Sequence, residues 1–303
     1  MVSKMKLKKS IVLGANGYLG LHLAHYMSNY GIETEVFDSV SKETGSTVHC
    51  KLVNILDMLD LQRIDWNVDY VFHFAGLTGT YNGFDRYPEY IKANEAGLLN
   101  VLTSIRNSPY RPHLIFPSSR LVYKGSEIPI VEDAPKEAKT VYAANKIACE
   151  LLLEAYRNAF DIGYTIFRIC VPYGNIFGTN YSYGTIGFFI DQARKHGLIK
   201  LYGDGSLRRT FTHVQDVCNQ IITVSLKEIS KGEIYNIEGE NYSLKEVALL
   251  IAEKYGAKVE FTDWPEMDLR IESGHTVFDS KKINAIIQRS LSMKFSNWVN
   301  DLK

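Results

Sequence analysis

The sequence has no excess of charge of either sign, because 34 lysines and arginines balance 34 aspartates and glutamates. Proteins that bind nucleic acid or an anionic membrane usually present a strongly basic face. The balance therefore argues against both kinds of partner and favours a small molecule as the ligand.

Cysteine is scarce in this chain of 303 residues. The four cysteines are widely scattered and contain no CxxC pair: Cys50, Cys149, Cys170 and Cys218. This spacing excludes a dense disulfide framework. We predict reduced, structural thiols and no metal site.

Long apolar runs are also missing. Four lysines lie among residues 1–10, but the apolar segment that follows, residues 11–13, is far too short for a signal-peptide core or a membrane span. We therefore expect a cytoplasmic protein with no membrane partner.

The first half of the chain alternates strand-like and helix-like segments. Strand patterns lie at residues 11–13, 35–37, 48–53, 70–74, 113–116 and 164–169, and helical patterns at 18–30, 90–106 and 138–160. Such alternation predicts an α/β fold, here a Rossmann-type doubly wound parallel sheet.

Beyond residue 170 the alternation stops. Residues 171–185 are rich in Tyr, Gly and Asn and are predicted to form a loop, followed by a helix at 185–195, a strand at 200–202 and a helix at 244–255. We predict a Rossmann domain at 1–170 plus about 206–235. A smaller C-terminal α/β substrate domain would cover about 171–205 plus 236–303.

A glycine-rich turn follows the first strand pattern, with the sequence Gly14-Ala15-Asn16-Gly17-Tyr18-Leu19-Gly20. Small residues let a strand turn sharply into a helix, so that backbone N–H groups face a pyrophosphate. Asp38 ends the next strand about twenty residues on, where a carboxylate binds ribose hydroxyls and repels a 2′-phosphate. The pattern predicts NAD rather than NADP as the cofactor.

A phenol and an ammonium group stand one helical turn apart at Tyr142 and Lys146. A free phenol is a poor base at neutral pH, and a nearby cation stabilises its phenolate. Tyr142 could then exchange a proton with a sugar hydroxyl. Ser119, at the end of a strand pattern, could hydrogen-bond the same oxygen.

Together these motifs resemble the extended short-chain dehydrogenase/reductase family, in its nucleotide-sugar epimerase/dehydratase branch that includes UDP-glucose 4-epimerase-like enzymes. Further matching segments lie at 73–76, 94–102, 117–123, 168–174, 202–205, 209–217 and 234–237. The resemblance covers residues 10–255.

The resemblance implies roles for individual residues. Ser119, Tyr142 and Lys146 would be catalytic, with Lys146 also binding the nicotinamide ribose. The cofactor would contact Gly14, Asn16, Gly17, Tyr18, Leu19, Gly20, Asp38, Asn54, Ile55, Phe74, Ala75, Gly76, Thr78, Tyr142 and Lys146. A nucleotide-diphosphate sugar would contact Thr78, Ser119, Tyr142, Arg209 and Arg270, where the guanidinium groups match phosphate oxygens.

The resemblance also narrows the reaction. Dehydrating relatives carry an Asp-Glu pair after the catalytic Ser or Thr, whereas this chain has Arg120 and Leu121, which cannot act as acid or base at neutral pH. An NAD-dependent 4-epimerase working through a 4-keto intermediate is favoured, since Asp38 indicates NAD.

Two alternatives stay open. Val171 stands where relatives commonly carry Asn, which leans toward an NAD(P)H-dependent 4-keto-6-deoxy-sugar reductase. A non-catalytic dinucleotide sensor is the other. The resemblance further implies a homodimer through the helices at 90–106 and 138–160.

Overall fold

The computed structural model describes residues 8–41, 49–177, 182–288 and 290–303. The chain divides into two compact units. The first comprises residues up to Ser118, Thr140–Phe167 and Ser225–Ile234, and the second Ser119–Lys139, Arg168–Val224 and Tyr235–Lys303. Within the described ranges, no helix is both long enough and apolar enough to span a membrane.

This division differs from the predicted domain boundaries. Residues 119–139 and 206–224, which were predicted to belong to the Rossmann domain, group with the second unit. The second unit is therefore built from three chain segments rather than from the two that were predicted. The functions assigned to the two domains remain predictions.

The first unit contains a parallel sheet. Its strands are β1 Lys9–Leu13, β2 Glu33–Asp38, β3 Lys51–Leu52, β4 Tyr70–His73, β5 His113–Ser119, β6 Tyr164–Ile169 and β10 Glu233–Asn236. In the described part of the chain these seven strands have the order β10-β6-β5-β4-β1-β2-β3. The order reverses between β1 and β4, the position at which doubly wound sheets bind ligands at the carboxyl ends of their strands. The predicted fold class is confirmed.

Helices cover this sheet. They are α1 Tyr18–Met27, α2 Met58–Leu61, α3 Asn82–Asp85, α4 Tyr87–Tyr90, α5 Gly97–Asn107 and α6 Val141–Phe160, with a 3₁₀ turn at Ser28–Tyr30 and a π-helical segment at Ile91–Ala96. Leu98, Val101, Leu102 and Ile105 recur at helical spacing on α5 and are fully buried. The core of the first unit lies between these helices and the sheet.

The second unit has two small sheets. Its strands are β7 Val171–Tyr173, β8 Leu198–Tyr202, β9 Arg208–His213, β11 Glu240–Ser243 and β12 Lys258–Thr262. In the described residues they form the sheets β11-β9-β7 and β12-β8. The prediction of a continuous loop at 171–185 is wrong at its start, because β7 pairs with β9 from Val171 to Tyr173. Residues 178–181 of that stretch lie outside the described residues.

The helices of the second unit close its core. They are α7 Gly184–His196, α8 Val214–Ser225, α9 Leu244–Tyr255, α10 Glu266–Ile271, α11 Lys281–Ile287 and α12 Phe295–Asp301, with a 3₁₀ turn at Arg120–Val122. A further 3₁₀ turn, Glu228–Ser230, belongs to the first unit. The ring of Tyr173 lies 4.9 Å from that of Phe295 and 5.0 Å from that of Trp298. Aromatic packing of this kind holds the β11-β9-β7 sheet against α12.

Candidate active site

The glycine-rich turn joins β1 to α1 at the point where the strand order reverses. Gly14 N and Ala15 N both donate to Phe37 O, at 2.8 and 3.1 Å. Gly14 has φ +85°, and a Cβ atom there would lie 2.4 Å from Ala75 N. A Cβ atom on Gly20 would lie 2.1 Å from Gly14 O. Only glycine fits these two positions without displacing the backbone.

The carboxylate of Asp38 is held at the end of β2 by backbone donors. Asn16 N donates to its Oδ2 at 2.9 Å and Val40 N to its Oδ1 at 3.1 Å. The Asn16 side chain donates to Val40 O at 2.5 Å and fixes the same turn. Asp38 is therefore oriented before any ligand arrives.

A cavity of about 370 Å³ opens beside this turn. Nine of the predicted cofactor residues line it: Gly14, Asn16, Gly17, Asp38, Asn54, Ile55, Phe74, Ala75 and Gly76. Sequence reasoning missed its other lining residues: Leu13, Phe37, Ser39, Val40, Val53, Leu56, Leu77 and Ala93. Most of these follow or end strands β1, β2 and β4, and that position was the available signal.

Other predicted cofactor residues do not line the cavity. Tyr18 packs its ring 5.1 Å from that of His22, and Leu19 lies beside it in α1. Gly20 serves the close approach of α1 to the turn. Thr78 lies in the loop after β4, where its carbonyl accepts the Tyr90 hydroxyl at 2.7 Å. Their contacts with a cofactor remain predictions.

Asn54 is held by local hydrogen bonds. Its Oδ1 accepts Leu56 N at 3.0 Å, and its own backbone N donates to Asp60 Oδ2 at 2.8 Å. The amide group therefore shapes the turn after β3. A contact between Asn54 and adenine remains a prediction.

The predicted Tyr142 and Lys146 pair lies on the first two turns of α6. Thr140 caps this helix, its hydroxyl accepting Ala143 N at 3.1 Å. Both side chains are buried, at 9% and 8% exposure. The Lys146 Nζ donates to Pro117 O at 2.7 Å and lies 4.3 Å from the centroid of the Phe116 ring and 5.8 Å from that of Tyr142.

Burial changes the acidity of this lysine. Loss of solvent lowers the pKa of Lys146 to about 8, and the nearby Cys149 and Glu150 only partly oppose the effect. Its ammonium group therefore lies near its titration midpoint at mildly alkaline pH, and a negative charge on the phenol would raise the pKa again. The charge on each group therefore shifts the pKa of the other.

Two adjacent serines end β5. Ser118 donates its hydroxyl to the buried Glu150 Oε1 at 2.7 Å, a contact that links the strand to α6. Ser119, the next residue along the chain, caps the 3₁₀ turn by accepting Leu121 N at 3.2 Å. His73 ends β4 as a buried side chain stacked on Phe116, and loss of solvent lowers its pKa to about 3. That agrees with the interpretation of His73 as a packing residue rather than a base.

The two predicted diphosphate-binding arginines differ in their surroundings within the second unit. Arg209 on β9 is 2% exposed and donates to Glu272 Oε1 at 2.5 Å. It also donates to the carbonyls of Arg208 and Gly274. Arg270 on α10 has a side chain 72% exposed and pairs with Glu266, four residues earlier on the same helix. Neither contact tests a role toward phosphate.

Comparison with known proteins gives consistent results. A family model described as "NAD dependent epimerase/dehydratase family" matches residues 10–237. CDP-paratose 2-epimerase of Salmonella typhi is 26% identical over 321 residues, covering 92% of this chain and 93% of that protein. UDP-N-acetyl-alpha-D-glucosaminuronate decarboxylase of Bacillus cytotoxicus is 29% identical, covering 80% and 78%. UDP-glucose 4-epimerase of Thermus thermophilus, solved with NAD, superimposes with a TM-score of 0.84 at 22% identity over 96% of each chain.

Proposed function

The chain belongs to the NAD dependent epimerase/dehydratase family, and we propose that it is a nucleotide-sugar 4-epimerase. It is an enzyme of the extended short-chain dehydrogenase/reductase type with NAD as its cofactor. The finer assignment to one reaction is our inference from the residues of the site. The observation that carries it is the oriented Asp38 carboxylate in the cavity beside the glycine-rich turn.

The first unit fits a dinucleotide. The backbone at Gly14 approaches Ala75 so closely that a Cβ atom there would clash. Gly17, the residue before α1, offers no side-chain cap, as at helix ends that bind pyrophosphate. Asp38 would accept ribose hydroxyls and disfavour a 2′-phosphate. The chemistry supplied by bound NAD is hydride acceptance from a sugar carbinol carbon and hydride return to the resulting ketone.

The chain's own residues would handle the proton. Tyr142, as a phenolate, takes the proton of the sugar hydroxyl during oxidation and returns it during reduction. The ammonium group of Lys146 stabilises the negative charge of the phenolate. Both groups are buried and poorly solvated, so their charge interaction is stronger than in water. By its family resemblance, Ser119 hydrogen-bonds the same sugar oxygen.

Epimerisation is favoured over net reduction because it returns the hydride and needs no free reduced cofactor, which suits an NAD-type site. Elimination lacks its acid and base, since Arg120 and Leu121 follow Ser119. Val171 on β7 is the observation that keeps a 4-keto-6-deoxy-sugar reductase as the second candidate.

The first test is release of the cofactor from purified protein by acid, with the dinucleotide identified by mass and absorbance. Stoichiometric NAD, together with interconversion of a UDP-sugar 4-epimer pair without added cofactor, is expected. The reductase assignment would be correct if the purified protein holds no dinucleotide and oxidises added NADH or NADPH with a 4-keto-6-deoxy sugar nucleotide.

The second test is Tyr142→Phe. Turnover should fall by about 10²–10⁴-fold, the usual contribution of a positioned acid or base, while NAD binding is unchanged. Tyr156→Phe is the matched control, because Tyr156 lies on the same helix with its hydroxyl 3.4 Å from that of Thr103. Equal activity of the two variants would remove Tyr142 from the mechanism.

We also propose that two copies pair through the helices of the first unit, in the cytoplasm. Leu151 on α6 is 56% exposed and Ile91, in the π-helical segment, is 42% exposed. Leu151→Glu should yield a monomer by light scattering. Leu249→Glu, at an exposed leucine of α9, should leave the dimer intact. A monomeric wild-type protein would refute the pairing.

A further inference from the structure

A second arginine lies beside Arg209 in the second unit. Arg120 opens the 3₁₀ turn after Ser119 and is half-buried. Its guanidinium reaches Thr276 Oγ1 at 3.4 Å, a long hydrogen bond to a neutral hydroxyl. Among the ion pairs of the described residues, none includes Arg120. A partly desolvated cation of this kind is costly unless something pairs with it.

Arg120 lies close to the strand that carries Arg209. Arg209 and Thr276 form a β-bridge, and Thr276 N donates to Arg208 O at 3.0 Å. The Thr276 hydroxyl that Arg120 reaches therefore belongs to the residue paired with Arg209. Two guanidinium groups consequently lie in one neighbourhood of the second unit.

The carboxylate in this neighbourhood is already engaged. Glu272 Oε1 accepts Arg209 at 2.5 Å and Gly274 N at 3.1 Å. Lys139 adds a further cation, which donates to the Glu272 carbonyl at 2.7 Å and forms a long ion pair of 3.8 Å with Glu137. Burial together with the charge of Arg120 lowers the pKa of Arg209 to about 10. The positive charge in this cluster exceeds the negative charge.

We propose that Arg120 recognises a carboxylate on the sugar, so that the substrate is a nucleotide-linked uronic acid rather than a neutral hexose. This inference rests on the proposed function, in which Ser119 contacts the sugar hydroxyl that is oxidised. Consecutive Cα atoms are about 3.8 Å apart, so an arginine next to Ser119 in the chain is close enough to reach the same sugar. A planar guanidinium binds a carboxylate through two parallel hydrogen bonds, which gives a strong preference over a neutral hydroxymethyl group.

The test is calorimetric titration of the NAD-loaded protein with UDP-glucuronic acid, UDP-glucose and UDP. Wild type should bind UDP-glucuronic acid about tenfold or more tightly than UDP-glucose, as a hydrogen-bonded charge pair provides. Arg120→Gln should abolish that preference and leave the affinities for UDP-glucose and UDP within about twofold. Arg120→Lys should restore part of the preference for UDP-glucuronic acid. Its binding would also show that a substitution at this position leaves the protein folded.

Arg208→Gln is the matched control, because Arg208 lies on β9 beside Arg209 but has its own partners, Asn241 and Glu246. Equal weakening of all three ligands by Arg120→Gln would assign Arg120 to the diphosphate and overturn the inference. So would unchanged binding of UDP-glucuronic acid, or a wild-type protein without preference for the acidic sugar. Failure of the proposed function looks different, since ligand selectivity would persist while no 4-epimer forms.

Discussion

Two buried cations, one in each unit, are held in opposite ways. Lys146 in the first unit donates to the carbonyl of Pro117 and lies against the Phe116 ring, and no ion pair of the described residues includes it. Arg209 in the second unit is paired with Glu272 and with two carbonyls. Lys146 is therefore suited to a partner that becomes charged during the reaction. Arg209 is suited to a permanently charged partner.

Lys146 and Arg209 also differ in pKa. Burial lowers the pKa of Lys146 to about 8, within reach of physiological change. Burial and the charge of Arg120 lower the pKa of Arg209 to about 10, so that it stays charged at neutral pH. A desolvated ammonium outside the ion pairs of the described residues is available to stabilise a developing phenolate, whereas a paired guanidinium stabilises the fold around it.

The largest expected effect is on turnover by Lys146→Met. The unbranched apolar side chain fills the same volume, so the protein should remain folded, but the phenolate of Tyr142 loses its cation. The kcat for the epimer pair should fall by about 10²–10⁴-fold. Steady-state kinetics with the melting temperature of the same sample checks both statements. A variant that unfolds instead would show that Lys146 is structural.

Arg209→Met should have the reverse profile, with the loss mainly in stability. The change leaves Glu272 without its cation and the carbonyls of Arg208 and Gly274 without a donor. Removing one partner of a buried ion pair costs about 3–5 kcal/mol in the free energy of unfolding. The cost is smaller here because the Glu272 side chain is 18% exposed. Urea unfolding of the variant measures it. Wild-type stability in Arg209→Met would contradict the contrast between the two cations.

The stability of the wild type should depend on pH through Lys146. Its folded pKa of about 8 lies below the ordinary value of 10.5, so between these values the unfolded chain binds more protons. The free energy of unfolding therefore rises with pH across this window and falls as pH drops through 8, with a slope of at most about 1.4 kcal/mol per pH unit. Lys146→Met should flatten the rise between pH 8 and 10. Lys195→Met, on the exposed surface of α7, should not.

The sequence could predict what depends on neighbours along the chain. The bounds of β6 and α9 are confirmed, and α9 is delimited locally by the capping box of Ser243 and Glu246 and by Gly256. The cavity residues Gly14 and Asp38 follow from strand ends and spacing. The Ser118 and Glu150 hydrogen bond and the Arg209 and Glu272 pair could not be predicted, because they join residues 32 and 63 positions apart. Grouping of residues 119–139 with the second unit depends on contacts of the same long range.

The smallest structural effect is expected at Arg270, and it tests whether the comparison extends to a third cation. Its pair with Glu266 is exposed on a short helix, and such pairs contribute almost nothing to stability, so Arg270→Gln should melt with the wild type. If Arg270 binds the diphosphate, the KM for a UDP-sugar should still rise about tenfold, since a charge-assisted hydrogen bond to phosphate is lost. Glu266→Gln is the control, because it frees the guanidinium without removing it and should leave the KM unchanged or lower. An unchanged KM in Arg270→Gln would assign Arg270 to the surface alone and leave phosphate recognition to Arg209, the arginine whose position the fold already fixes.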